Sequence, residues 1–347
     1  MRFSFFVLCW IVFLGTCYGQ DKLNISDRIS EIDERNIFRT PDYYNWGGSI
    51  IKSEDGKYHL FYSRWPKATK FTGWLVYSEV AHAVSDSPAG PWTYVETALQ
   101  GRGKGNWDAI TAHNPKIKKF GDYYYLYYIS TNLGVNQEYT EEDLMEIAQT
   151  GYSHPNWKIL RPNQRTGVAK SKSLNGPWLR QDETLIEPAG PITTLTVNPA
   201  ITQGRDGRYY LIVKGDKPNE TRFIRNQAMA IGDHPDGPFS ILPKAVIDDL
   251  DTEDMSLWYD QELDYYYAVF HAHGFIGMMS SEDGINWDKA ENYRLMPKEI
   301  RQKDGSLLLP DRLERPFVYY EDGEIKVLGL AGKLGDESFV VTIPLNK

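Results

Sequence analysis

Residues 105–130 read GNWDAITAHNPKIKKFGDYYYLYYIS, and the reading of this stretch decides the fold. A polar loop carrying Trp107, Asp108, His113 and Asn114 runs into Pro115, which opens a short strand. Gly121-Asp122 then makes a tight turn, since these residue types accept the backbone conformations a hairpin demands. The segment after it, Tyr123 to Ile129, is dense in tyrosine, a side chain that suits the pleated, half-buried surface of a strand.

The same unit returns along the chain. Turn-plus-strand pieces begin at Asp55 (DGKYHLFYS), Gly121 (GDYYYLYYIS), Asp206 (DGRYYLIVKG), Leu263 (LDYYYAVFHA) and Asp322 (DGEIKVLGLA). A short apolar strand precedes each, starting at Ser49, Pro115, Pro199, Ser256 and Pro316. After the first four come a third strand and near copies of one turn: AHAVSDSPAGPW (81–92), GVAKSKSLNGPW (167–178), AMAIGDHPDGPF (228–239) and IGMMSSEDGINW (276–287). A fourth strand follows each turn. Repetition at this period marks propellers and arrays. Four strands in each of five units predict an all-β fold, a five-bladed β-propeller of four-stranded antiparallel blades. A sandwich would give no such echo.

Two irregularities carry expectations of their own. The last unit lacks the Gly-Pro-Trp turn and stops at Phe339-Val-Val-Thr-Ile-Pro, so an N-terminal segment is expected to complete blade five. The longest step, between the turns at 121 and 206, holds an insertion from Asn132 to Arg165. Within it Thr140-Glu-Glu-Asp143 reads as a helix N-cap, with Leu144, Ile147 and Ala148 on one face after it. A short helical insertion in blade two is therefore expected, with His154, Trp157 and Arg161 overhanging a site.

Residues 1–20 read as an export signal ahead of a single domain, 21–347. Arg2 is followed by an apolar run from Phe5 to Leu14 and by small residues near Gly15 to Gly19. That run is short for a membrane span. Both cysteines, Cys9 and Cys17, fall in the leader, which excludes a disulfide framework and a thiol nucleophile from the mature domain. Leu14-Gly15-Thr16-Cys17 is also an imperfect lipobox, so lipid anchoring through Cys17 is the alternative to plain cleavage near Gly19-Gln20. A periplasmic or secreted protein is expected. The net charge of -9 argues against nucleic acid, which needs basic surface to displace counterions. Aromatics at 14% suit sugar-facing surfaces instead.

In a propeller the innermost strands run along the central axis, and the residues leading into them converge at one mouth. Blade one brings Trp46-Gly47-Gly48 with Asp42 upstream, and blade two brings His113-Asn114 with Asp108 upstream. Blades three, four and five bring Val197-Asn198, Glu253-Asp254 and Glu314-Arg315. Acids at several of these positions predict an acidic pocket with an aromatic rim. Glycoside hydrolysis needs such a place, with one carboxyl group protonated to serve the leaving oxygen and another ionised. Crowding carboxylates in a partly desolvated well pushes their pKa values apart.

The five-fold pattern, an acid or Asn followed by Pro and then a DGkYYL-like strand, resembles the furanosidase-type propeller hydrolases. These are glycoside hydrolase family 43 and its relatives, families 32, 62, 68 and 117, and the likeness covers nearly all of the mature chain. It implies a glycosidase acting on a plant or algal polysaccharide or oligosaccharide, working from an end and with inversion. It also implies an Asp base, an orienting Asp and a Glu acid at the mouth. Family 43's Asp-Pro positions read Gly47-Gly48 and Asn114-Pro115 here, which leaves Asp42 or Asp108 for the base, Asp254 for the orienting carboxylate and Glu314 for the acid. In family 117, which acts on anhydro-galactose units, a His can take the acid's part, which makes His113 a candidate.

The expected catalytic set is thus Asp108, Asp254, Glu314 and His113, with Asp42, Trp46, Asn114, Asn198, Arg315 and His271 contacting substrate. No metal spacing is recognisable and no cofactor is expected, a structural cation such as calcium on the axis being the alternative. Each choice has a plainer competitor: Asp108 as a turn cap, Glu314-Arg315 as an internal ion pair, His271 as a packing residue. Two other functions compete as well. One is a carbohydrate-binding propeller without catalysis, favoured by the missing Asp-Pro pairs. The other is a polysaccharide lyase using His113 with a tyrosine.

Overall fold

Five four-stranded antiparallel sheets stand around one axis in the computed structural model, which describes residues 23–346. The inner strands are Tyr43–Lys52, His113–Phe120, Thr193–Gln203, Thr252–Asp260 and Arg312–Glu321. Each pairs with the strand after its hairpin turn, so every expected turn-plus-strand piece forms the second strand of a blade. The all-β, five-bladed propeller is the observed architecture.

Hydrophobic burial between neighbouring blades holds the ring together. Phe61, Val80 and Leu99 of blade one meet Ile117, Leu126 and Tyr128 of blade two in one wedge. Tyr127, Ile201, Leu211 and Val213 fill the next. Fully burying an aliphatic side chain of this size is worth about 1.5–3 kcal/mol, so these wedges outweigh any single polar contact. The aromatic residue of the recurring turn packs here too: Trp92 and Trp287 are buried in wedges, and Trp178 meets Phe61 edge-on.

Blade five closes as expected. Its outermost strand is the N-terminal Ile37–Phe38, paired with the last strand through Ile37↔Val341 and Phe38↔Val340. Ile25 and Ile32 are also buried, in the wedge between blades four and five. The expected leader and its two cysteines lie outside the described residues, and no helix among the described residues is long and apolar enough to cross a membrane.

The insertion in blade two holds a helix, Glu141–Thr150, started by a reciprocal capping box between Thr140 and Asp143. Ile147 and Ala148 bury their face against Leu75 and Val76 of a short helix, Trp74–Tyr77, in blade one. The insertion is thereby clamped over the mouth of the axis.

Candidate active site

All five inner strands are irregular at the same place. The pairing register shifts next to Gly47, Asn114, Asn198, Asp254 and Arg315, and these residues have φ of 62°, 54°, 55°, 62° and 60°. Such a bulge re-aims side chains, and here it turns one residue per blade toward the axis. Glycine takes the left-handed region freely and Asn or Asp do so more readily than other residues. Arg315 is the exception, at a strain of about 1–2 kcal/mol.

These residues form a hydrogen-bonded floor across the axis. Asn114 Nδ2 donates to Asn198 Oδ1 at 3.0 Å, and Asn198 Nδ2 donates to Asp254 Oδ1 at 2.5 Å. The Arg315 guanidinium stands 2.8 Å from that same oxygen, and His271 Nδ1 lies 2.8 Å from Oδ2. Burial pushes the Asp254 carboxyl up, but Arg315 and His271 outweigh it and hold the group well below the usual carboxylate range. Blade one contributes no side chain. A Cβ on Gly47 would meet the Arg315 side chain at 3.7 Å, so the arginine of blade five fills the space blade one leaves.

One residue earlier on each strand, Trp46, His113, Val197, Glu253 and Glu314 face a well of about 580 Å³. Glu253 is held by Lys214 Nζ at 2.6 Å and by the Arg225 guanidinium. Glu314 has one cationic partner, Arg312, whose Nε donates at 2.8 Å and NH2 at 3.3 Å. One oxygen of Asp254, one of Glu314 and a ring nitrogen of His271 lie within 4.8 Å of one another. His113 is buried, with Nδ1 2.6 Å from Ser78 Oγ and its ring stacked on Trp74 at 5.1 Å. Burial, with Arg315 adding to it, pushes its pKa well down, so the imidazole is neutral at neutral pH.

Aromatic side chains wall the well: Trp65, Phe71, Trp74, Tyr152, Trp157 and Phe223. The insertion supplies Tyr152, Trp157 and Arg161, the last fixed by Asp216 at 2.6 Å and lying 4.2 Å over the Phe223 ring. His154 does not line the well; its Nδ1 accepts the Asn156 N–H at 3.1 Å.

Of the residues expected at the site, His113, Asn114, Asn198, Asp254, Glu314, Arg315 and Trp46 come together around the well. His271 stands behind Asp254 rather than in the wall. Asp108 and Asp42 are not brought there. Asp108 is fully buried and takes Arg102 Nε at 2.6 Å, Arg180 NH1 at 3.1 Å and the Tyr128 hydroxyl at 2.7 Å, which ties its loop to blade two. Fully buried between two guanidinium groups and a phenol, this carboxylate does not face the well. Asp42 is exposed in a turn, where its backbone carbonyl accepts the Lys67 N–H at 2.9 Å. The lining cations Lys214, Arg225 and Arg312 were not anticipated. A signal exists for Lys214 alone, a single charge in the apolar run YYLIVKG.

A propeller whose axial mouth carries a walled well with three acids has the architecture of the propeller glycoside hydrolases. No family profile and no curated protein matches the chain. Solved structures do. BT0996, in its RGII complex, aligns with a TM-score of 0.65 at 12% identity, over 93% of each protein. Zg3597, a family 117 glycoside hydrolase of the marine bacterium Zobellia galactanivorans, aligns with a TM-score of 0.61 at 17% identity, over 92% of this chain and 88% of that one. An exo-1,5-alpha-L-arabinanase from a bovine ruminal metagenomic library aligns with a TM-score of 0.55 at 13% identity, over 92% and 100%. At these identities the likeness is one of fold, and it agrees with the family resemblance read from the repeats.

Proposed function

We propose that the chain is an exported glycoside hydrolase that removes a sugar from the end of a plant or algal polysaccharide or oligosaccharide in the axial well. The observation that carries this reading is the convergence of Glu253, Asp254 and Glu314 on one aromatic-walled cavity. A well with a closed floor receives a chain end, which favours exo action. Neighbours of the same fold include both an exo-arabinanase and an endo-arabinase, so it is the shape of the well that carries this choice.

The partners of the three acids differ. Asp254 faces Arg315 and His271, with an Asn198 amide donating as well, so it acts as a fixed charge that orients its neighbours. Glu253, bound by Lys214 and Arg225, is the base that activates water in this reading, in place of Asp42 and Asp108. Glu314 is tied only to Arg312, whose side chain is 43% exposed at the rim. A sugar entering the well can displace that arginine, which leaves Glu314 facing the glycosidic oxygen as the proton donor of this reading. His113, neutral and anchored through Ser78, positions the sugar ring beside Trp74. Inversion is the course this reading assigns, with Glu253 activating water and Asp254, held by Asn198, Arg315 and His271, serving as a fixed charge instead of attacking carbon. A calcium ion would want about six to eight oxygen ligands. Around Asp254 the near groups are the N–H donors of Arg315 and Asn198, so Arg315 supplies the axial positive charge.

A second reading, carbohydrate binding without turnover, is favoured by the cation beside each of the three acids. Incubating the purified protein with a panel of algal and plant oligosaccharides separates the two. Hydrolysis predicts a released monosaccharide whose first-formed anomer, seen by proton NMR, is inverted. Saturable binding with no new reducing end would sink the enzymatic reading, and an unsaturated product absorbing in the ultraviolet would mean a lyase.

A further inference from the structure

Below the floor of Asn114, Asn198, Asp254 and Arg315 the inner strands run on to the opposite face of the ring. There they enclose a second cavity of about 280 Å³, a space on the order of nine water volumes. Blade two brings Lys116 and Lys118 to it, two residues apart and so on one side of their strand, while Ile117 between them packs into the wedge with blade one. Lys116 reaches across the axis, its ammonium 5.7 Å from the centroid of the Phe317 ring in blade five.

The charge in this cavity is one-sided. Among the described residues no acid lines it, on a chain whose net charge is -9. The third lining cation, Lys119, is paired with Glu54 at 2.9 Å on the outside. The ammonium groups of Lys116 and Lys118 have no ion pair or hydrogen bond among the described residues. Withdrawing an ammonium from water without a counter-charge costs several kcal/mol. Accordingly burial, with Arg315 adding to it, pushes Lys116 down to about 7, and burial pushes Lys118 down to about 8. The rest of the wall offers hydrogen-bond donors: the hydroxyls of Ser49 and Ser256, the latter accepting the Val318 N–H through Oγ, and Trp258, whose indole N–H has no partner among the described residues.

We propose that this cavity is a binding site for a small, multiply charged oxyanion of the sulfate or phosphate class, held between Lys116 and Lys118. Two ammonium groups on one side of a strand are neutralised together by one ion carrying more than a single charge, and the donors around them match its oxygens. This site is separate from the sugar well and does not depend on how the well is read.

Titration calorimetry of the whole protein with sodium sulfate and with sodium phosphate, at pH 6 and constant ionic strength, tests it. The expected result is saturable binding of one ion per chain. Lys116→Met and Lys118→Met, each retaining an unbranched stem, should each weaken it by about tenfold or more, and Lys119→Met should not. No saturable heat with either ion, unchanged affinity in both variants, or chloride competing as well as sulfate would each overturn the proposal. Should the variants misfold, anomalous scattering from wild-type crystals soaked in selenate decides: a peak between the two ammonium groups supports the site, and its absence rejects it.

Discussion

The pairing of Asp254 with Arg315 is the residue-scale fact on which the floor of the well depends. The carboxyl is held below its unfolded value of about 4, so its ionised form stabilises the fold above that pH, and the contribution is lost as pH falls below it. Arg315→Met should therefore cost about 3–5 kcal/mol in urea unfolding at pH 7, as expected for a buried pair losing one partner. That difference should shrink on titration toward pH 3, where the variant's carboxyl is protonated; a cost that stays constant with pH would contradict the pairing. The positions of Asn114, Asn198, Asp254 and Arg315 were legible from the repeats, because the same step in each blade reaches the same place on the axis. Asp108 was not, because two of its partners, Arg180 and Tyr128, come from other elements, and an aspartate before a strand looks alike whether it faces a ligand or a guanidinium.

At the scale of elements, the helical insertion makes a pocket out of an open mouth. Its helix was readable in advance, since Thr140 and Asp143 satisfy each other's backbone N–H groups and Ile147 and Ala148 share a face. The surface it packs on was not. Residues 71–77, FTGWLVY, show no helical period, and the short helix Trp74–Tyr77 packs against the insertion. Trp157 hangs from this insertion into the well without touching any of its three acids through a hydrogen bond or ion pair. Trp157→Ala is accordingly expected to raise KM by about tenfold, the loss of one aromatic sugar contact, with kcat nearly unchanged. An equal fall in kcat at constant KM would show that the insertion acts on the chemistry instead.

The whole molecule is a closed ring, and its closure rests on two residues far from the rest of their blade in sequence. Ile37 and Phe38 add the outer strand to blade five, and Phe38 meets Tyr62 edge-on at 5.1 Å, joining blade five to blade one. Phe38→Ala should lower the stability of the entire propeller in one cooperative step, by about 3–5 kcal/mol; local fraying with unchanged global unfolding would contradict the closure. The missing turn of the last repeat made this closure legible. The lysine-lined cavity was hidden, since KIKK reads as an ordinary edge of charge until the ring brings five strands around it. What the ring does for chemistry is bring Glu253, Asp254 and Glu314 from adjacent blades to one well with a different set of partners around each. The most direct measurement of that claim is kcat for Glu314→Gln on the oligosaccharide that the wild type cleaves and on an aryl glycoside of the same sugar with an acidic phenol leaving group. A proton donor at Glu314 predicts a loss of about 10²–10⁴-fold on the oligosaccharide and a much smaller one on the aryl substrate, which leaves without help. Wild-type rates on both, from a correctly folded variant, would contradict it.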